Sequence, residues 1–205
     1  MHRKLNVAAI VFGLLLAPAA CSRAADTAEK ALKQIRTADC VYVPTPNDVV
    51  EKMLEMAGVK KSDLLYDLGS GDGRIVVTAA RKFGCKAVGY EIDPERVADA
   101  RKNIEKRKVG KLAKIEQEDV FKLDLTPASV VTIYLLPDME VKLLPQLKKL
   151  KAGSRIVVHD YPIRGIKADK EVSLTSKEDN VHHYVYLYTL PLKEDNSAGK
   201  ETGGQ

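Results

Sequence analysis

From about residue 40 to residue 192, short apolar runs bounded by polar or glycine-containing turns alternate with segments whose apolar positions recur every three to four residues. Leu64-Leu65-Tyr66, Lys86 to Glu91, Leu112 to Gln117, Ser129 to Tyr134 and Arg155 to His159 have strand length and composition. Between them, Val49, Val50, Met53, Leu54 and Ala57 fall on one helical face, as do Ile75, Val76, Ala79, Ala80 and Phe83 before a C-terminal stop at Gly84. Thr45 is expected to cap the first helix, with Pro46 at its first position and Asp48 completing a capping box. Further helices are predicted from Pro94 to about Lys108 and from Asp138, the latter burying Leu143, Leu144 and Leu147 and bending near Pro145. Strand and helix in alternation predict an α/β sheet, mostly parallel. Glu171 to Thr175 and Val181 to Leu190 follow each other with no helical pattern between, so they are expected to pair as an antiparallel hairpin and bring the total to seven strands.

Both ends depart from this pattern. His2, Arg3 and Lys4 precede an apolar stretch from Leu5 to Ala20, the shape of a secretory signal or N-terminal anchor over residues 1–25. Three readings stay open: cleavage after Ala24, lipid attachment at Cys21, or retention as an uncleaved anchor. Residues 26–40 read as a mobile charged linker, 41–192 as the folded domain, and 193–205, with Gly199, Gly203 and Gly204, as a disordered tail.

The 205 residues carry a formal charge of +5, with 45% hydrophobic and 30% charged, which excludes fibrous, disordered and polytopic membrane classes. The Lys/Arg series at Arg101, Lys102, Lys106, Arg107, Lys108, Lys111 and Lys114 has no interleaved aromatic side chains to stack bases, so it reads as a solvated face and no nucleic-acid partner is expected. Only Cys40 and Cys85 follow the leader, far from a disulfide framework, and whether they pair is open. No metal is expected either, because no Cys/His cluster has zinc spacing and the adjacent His182 and His183 point to opposite faces of a strand.

Chemistry concentrates at Asp67-Leu68-Gly69-Ser70-Gly71-Asp72-Gly73-Arg74, between the first predicted sheet strand and its helix. Alternate glycines let the backbone turn tightly against a ligand, and the helix beyond offers unpaired N–H groups. Arg74 stands where a dinucleotide fingerprint needs its third glycine, and no phosphate-loop Lys-Ser/Thr follows. Asp67 would repel a pyrophosphate and suits a ligand with an ammonium group. Glu91 ends the second strand, where it can bind two ribose hydroxyls, while Asp119 after the third can accept from an adenine amino group. Asp93 beside Glu91 reads as the cap of the helix at Pro94.

These residues resemble the class I, seven-strand methyltransferases that use S-adenosylmethionine, over about residues 41 to 190. The resemblance implies a Rossmann-like seven-strand methyltransferase sheet with helices on both faces. Asp67, Gly69, Gly71 and Gly73 match the family's glycine loop, Glu91 its ribose acid and Asp119 its adenine contact. Tyr42-Val43-Pro44-Thr45-Pro46, the block from Asp67 to Ile75, and Gly89-Tyr90-Glu91 are similar to a smaller group, the lysine methyltransferases of the adenine nucleotide translocase and of the ATP synthase c-ring protein, with their bacterial relatives. The loop Tyr134-Leu135-Leu136-Pro137 stands where base- and amide-modifying relatives carry Asn-Pro-Pro-Tyr, which argues against a base substrate. The resemblance thus implies a protein-lysine N-methyltransferase acting by direct in-line transfer on an exposed lysine of a protein; a monomer is expected, although the sequence does not fix the oligomeric state. Tyr134 and Tyr42 are the candidate catalytic residues, with Tyr161 a further wall, and Thr45 and Pro46 are expected to close over the methyl donor.

The leader conflicts with this reading, because S-adenosylmethionine is a cytosolic compound. An anchor with the domain facing the cytosol resolves the conflict; an exported, non-catalytic binding module that kept the fold is the alternative, with a small-molecule acceptor as another.

Overall fold

The computed structural model describes residues 38, 39 and 41–195, so the leader, Cys21, Cys40 and the end of the tail lie outside the described residues. The main sheet contains β1 (Leu64–Leu68), β2 (Lys86–Glu91), β3 (Ala113–Gln117), β4 (Val130–Ile133), β5 (Arg155–His159), β7 (Lys170–Thr175) and β8 (His182–Thr189). Their order is β3-β2-β1-β4-β5-β8-β7. The first five are parallel, and β8 runs antiparallel to both β5 and β7, as the missing helical pattern between the last two strands required. A small second sheet pairs β6 (Ile166–Lys167) with β9 (Lys193–Glu194), so the first two residues of the expected disordered tail are strand.

Alternation along each strand divides the core. Leu65, Val130, Val157 and Val185 face α1 (Asn47–Met56), α2 (Arg74–Thr78) and α3 (Pro94–Lys106), whereas Tyr66, Val131, Ile156, Val158 and Tyr188 face α4 (Pro137–Leu147). Helices thereby cover both faces, which is what a parallel sheet needs. A wider π-type turn, Ala79–Phe83, continues α2 to Gly84, whose φ of 67° ends the helix as expected. Cys85 is a buried free thiol whose pKa burial pushes up to about 11.

Two helix termini differ from expectation. α1 starts at Asn47 with Pro46 in the cap position, and the Thr45 hydroxyl is engaged instead by His159 Nδ1 at 3.1 Å. The free N–H of Asn47 is satisfied from across the fold by Glu178 at 3.0 Å, and Asp48 accepts from Ser176 and from the Lys177 N–H. The β7–β8 turn supplies the cap. α4 runs through Pro145 and stops two residues later, so the proline costs little helix beyond it.

Glu140 on α4 is fully buried and neither carboxylate oxygen has a hydrogen-bond partner among the described residues. Burial raises its pKa to about 8, only partly opposed by Arg164. The unfolded chain ionises this group near its ordinary 4.5, so the stability it contributes is complete below that pH and is lost as pH rises through about 8. Glu140→Met is expected to raise the melting temperature more at pH 8.5 than at pH 4.5, measured by thermal denaturation at the two pH values; an equal effect at both would contradict a buried titrating carboxyl.

Candidate functional site

The strand order fixes where a ligand can sit: the chain grows to one side of β1 through β2 and β3 and to the other through β4 and β5, opening a crevice at the carboxyl ends of β1 and β4. A cleft of about 900 Å³, counted out to its open mouth, occupies this place. Six predicted site residues line it together: Tyr42, Asp67, Gly69, Glu91, Asp119 and Tyr134. Gly71 and Gly73 shape the turn behind them.

That turn is held by β2. The N–H groups of Gly69 and Ser70 donate to the Tyr90 carbonyl, and the Gly71 N–H donates to Glu91 Oε2 at 2.8 Å. Gly71 has φ of 53°, and a Cβ there would lie 2.1 Å from the Tyr42 ring. Only glycine permits both the left-handed backbone and the ring packed on it. The Arg96 guanidinium also lies over that ring, at 5.4 Å, so Tyr42 covers the glycine turn.

Asp67 is buried at the floor of this turn. Its Oδ1 accepts from the Thr132 hydroxyl at 2.6 Å, while the buried Oδ2 has no partner among the described residues. Burial first, then the neighbouring Glu91 and Asp72 charges, hold its pKa up at about 7 against the Thr132 hydrogen bond. A buried carboxylate oxygen of this kind is matched by a cationic ligand group. Glu91 is bound more fully than the sequence suggested: besides Gly71, its other oxygen accepts from the Ile92 and Asp93 N–H groups. It therefore both builds the turn and faces the cleft. Asp119 accepts from the Phe121 N–H at 3.0 Å, capping the short turn Val120–Lys122 while lining the cleft, and Asp93 caps α3 as expected through Glu95.

Tyr134, directly after β4, stands at the same cleft with its ring 4.0 Å from that of His159 and 6.4 Å from Tyr161, stacked at 18° to the latter. Its hydroxyl reaches Asp160 Oδ2 at 3.4 Å, and burial with that carboxylate pushes the phenol up to about 12. Tyr134 and Tyr161 thus form one aromatic wall.

Sequence reasoning missed Arg74 and Asp72 as parts of the site. Arg74 pairs with Asp72 at 2.8 Å and donates to the Thr45 carbonyl at 2.8 Å, tying the glycine turn to the segment before α1. Of the expected closing pair, Thr45 lines the cleft and Pro46 does not. The signal for Arg74 was its fixed place after Gly73, which had served only to exclude dinucleotides.

A seven-strand sheet with a glycine turn after β1, an acid ending β2 and a buried carboxylate with one oxygen unpartnered among the described residues at the switch point is the arrangement expected of an S-adenosylmethionine-dependent methyltransferase. The sequence pattern described as the ANTKMT methyltransferase domain matches residues 67–170. A protein-lysine N-methyltransferase of Saccharolobus islandicus is 46% identical over 151 residues, spanning 73% of this chain and 92% of that one. The adenine nucleotide translocase lysine N-methyltransferase of Mus musculus is 32% identical over 124 residues, but this match spans 60% of this chain and only 53% of that one. Among solved structures, one described as an RNA methyltransferase from Salinibacter ruber, in complex with S-adenosyl-L-homocysteine, superposes with a TM-score of 0.69 at 45% identity, covering 75% of this chain and 97% of that one. The chain belongs to the ANTKMT methyltransferase family.

Proposed function

We propose that the protein is a protein-lysine N-methyltransferase in which Asp67, the glycine turn, Glu91 and Asp119 hold S-adenosylmethionine and Tyr134 borders the acceptor. The observation that carries this reading is the Tyr134 ring, half-buried at the cleft that also holds Asp67 and stacked on its open side by the exposed Tyr161. The 46% identity to a protein-lysine N-methyltransferase over nearly its whole length supports it.

S-adenosylmethionine supplies, when bound, a methyl carbon made electrophilic by the adjacent sulfonium. In this reading Asp67 Oδ2 takes the ligand's ammonium group, and Glu91, already fixed by three N–H donors, accepts from the ribose hydroxyls. Asp119 accepts from the adenine amino group. Tyr42 closes over the glycine turn and excludes water there. A lysine amine reacts only when neutral, and an apolar aromatic channel favours the neutral form because desolvation penalises the charged one. With its pKa at about 12 the Tyr134 phenol stays protonated at neutral pH, so it orients the amine as a hydrogen-bonding wall rather than removing its proton. Tyr134→Phe is accordingly expected to lower kcat about tenfold with little change in KM for S-adenosylmethionine, read from steady-state kinetics; unchanged kcat would remove the hydroxyl from this role.

RNA is the second reading, favoured by the 45% identical structure described as an RNA methyltransferase. Incubation with methyl-labelled S-adenosylmethionine and a lysate of the native host, divided by protease and ribonuclease, separates the two. Label in methyllysine after acid hydrolysis is expected; label lost with ribonuclease would overturn the lysine reading.

The address belongs to this proposal too. Among the described residues no helix is long and apolar enough to cross a membrane, and the leader lies outside them. An N-terminal anchor with the domain facing the cytosol reconciles the leader with the methyl donor, and protease shaving of intact cells should leave the domain uncut.

A further inference from the structure

Adjacent His182 and His183 face opposite sides of β8, as their alternation requires, but the antiparallel register sets His159 opposite Val185. His183, two residues before Val185, is therefore the diagonal neighbour of His159 on the same face. Three ligand-type atoms converge there. His159 Nε2 lies 2.9 Å from His183 Nδ1 and 3.3 Å from Asp160 Oδ2, and His183 Nδ1 lies 3.2 Å from Asp160 Oδ2. Ligands on a zinc tetrahedron, with bonds of about 2.0–2.2 Å, stand about 3.3 Å apart. His159 is fully buried and His183 nearly so.

The outer shell sets the tautomers. Asp179 Oδ2 lies 3.1 Å from His183 Nε2, and since a carboxylate only accepts, that nitrogen carries the hydrogen. The other nitrogen of His183, Nδ1, faces Asp160 Oδ2 at 3.2 Å, and a metal bound there would displace any hydrogen that this contact holds. The far nitrogen of His159 is likewise occupied, by Thr45 Oγ1 at 3.1 Å. Asp160 Oδ1 accepts the Tyr184 N–H, while its Oδ2, which also takes the Tyr134 hydroxyl at 3.4 Å, faces the two imidazoles. Two imidazole nitrogens and a carboxylate oxygen converging on one point, each imidazole anchored by an outer partner, form an arrangement in which proteins bind divalent metals.

The geometry points to a metal site at His159, Asp160 and His183 that takes a first-row divalent cation such as zinc. The cation would clamp the end of β5 to β8 and, through Thr45, fix the segment that begins α1 above the cleft. It would also set His159 rigidly beneath the Tyr134 ring. The proposal departs from the sequence expectation of no metal, which weighed the adjacent histidines against each other but had no means of pairing His159 with His183.

The test is calorimetric titration of the full chain, stripped with chelator, with zinc chloride, followed by the visible absorption spectrum with cobalt. One zinc per chain is expected. His183→Asn should weaken it more than about 100-fold, whereas Asp179→Asn, which removes only an outer partner on the exposed turn, should weaken it about 10- to 100-fold. His182→Asn should bind as the native chain does. Circular dichroism establishes that each variant is folded. Absence of zinc binding by the folded, stripped native chain overturns the site, and so does undiminished binding by the Asp179 and His183 variants, which would locate the metal elsewhere.

Discussion

Asp67→Ala is expected to weaken S-adenosylmethionine binding by about 10- to 100-fold while leaving the chain folded. The carboxylate is buried at 2% exposure, and one of its oxygens is spent on Thr132 while the other has no partner among the described residues. A charge-assisted contact in such a setting contributes about 1.5–3 kcal/mol, and each 1.4 kcal/mol is about a tenfold change in affinity. The same residue gives the binding a pH dependence whose sign follows from its pKa of about 7. A cationic group binds the ionised carboxylate, so the ligand must displace a proton below that value. Affinity should therefore fall about tenfold for each unit of acidification below about 7. In Asp67→Asn, which preserves the side-chain shape, this dependence should vanish. Isothermal titration across pH 5.5 to 7.5 measures both effects, and an Asp67→Ala variant with native affinity would remove the carboxylate from the ligand.

Glu91→Ala is expected to damage both binding and stability. The side chain accepts three backbone N–H groups, from Gly71, Ile92 and Asp93, and the first of these sits inside the glycine turn. Leaving buried donors unpaired costs about 1–3 kcal/mol each, so a loss of at least about 2 kcal/mol in denaturant unfolding should accompany a fall of about 100-fold in affinity for S-adenosylmethionine. Glu91→Gln keeps one carbonyl acceptor and should lie between the two. An alanine variant with unaltered stability would show that the turn stands without Glu91, and one that binds normally would refute the ribose role.

Much of this site was legible because it depends on local rules. A strand must end where the glycine turn begins, and acids at the ends of β1, β2 and β3 must reach the crevice once the sheet is parallel. Asp67, Glu91 and Asp119 needed no more than that. The failures all involve packing between distant parts of the chain. Thr45 looks like a helix cap until His159, 114 positions away, takes its hydroxyl, and Glu178 then serves Asn47 from the β7–β8 turn. Arg74 joins Asp72 to the Thr45 carbonyl, a contact that helix periodicity does not contain. The His159–His183 contact depends on the register of β5 against β8, which the hydrophobic pattern constrains only to a face. Glu140 was invisible for a related reason: an acid in the first turn of a helix reads as solvated, yet packing against the sheet buries it completely.

The most direct measurement of the account is calorimetric titration of the folded chain with S-adenosylmethionine, its demethylated product and NAD. Binding of the first two at one molecule per chain, with no response to NAD, is the expected result. Silence toward all three, or binding of NAD, would contradict a methyl-donor site built on Asp67, the glycine turn and Glu91.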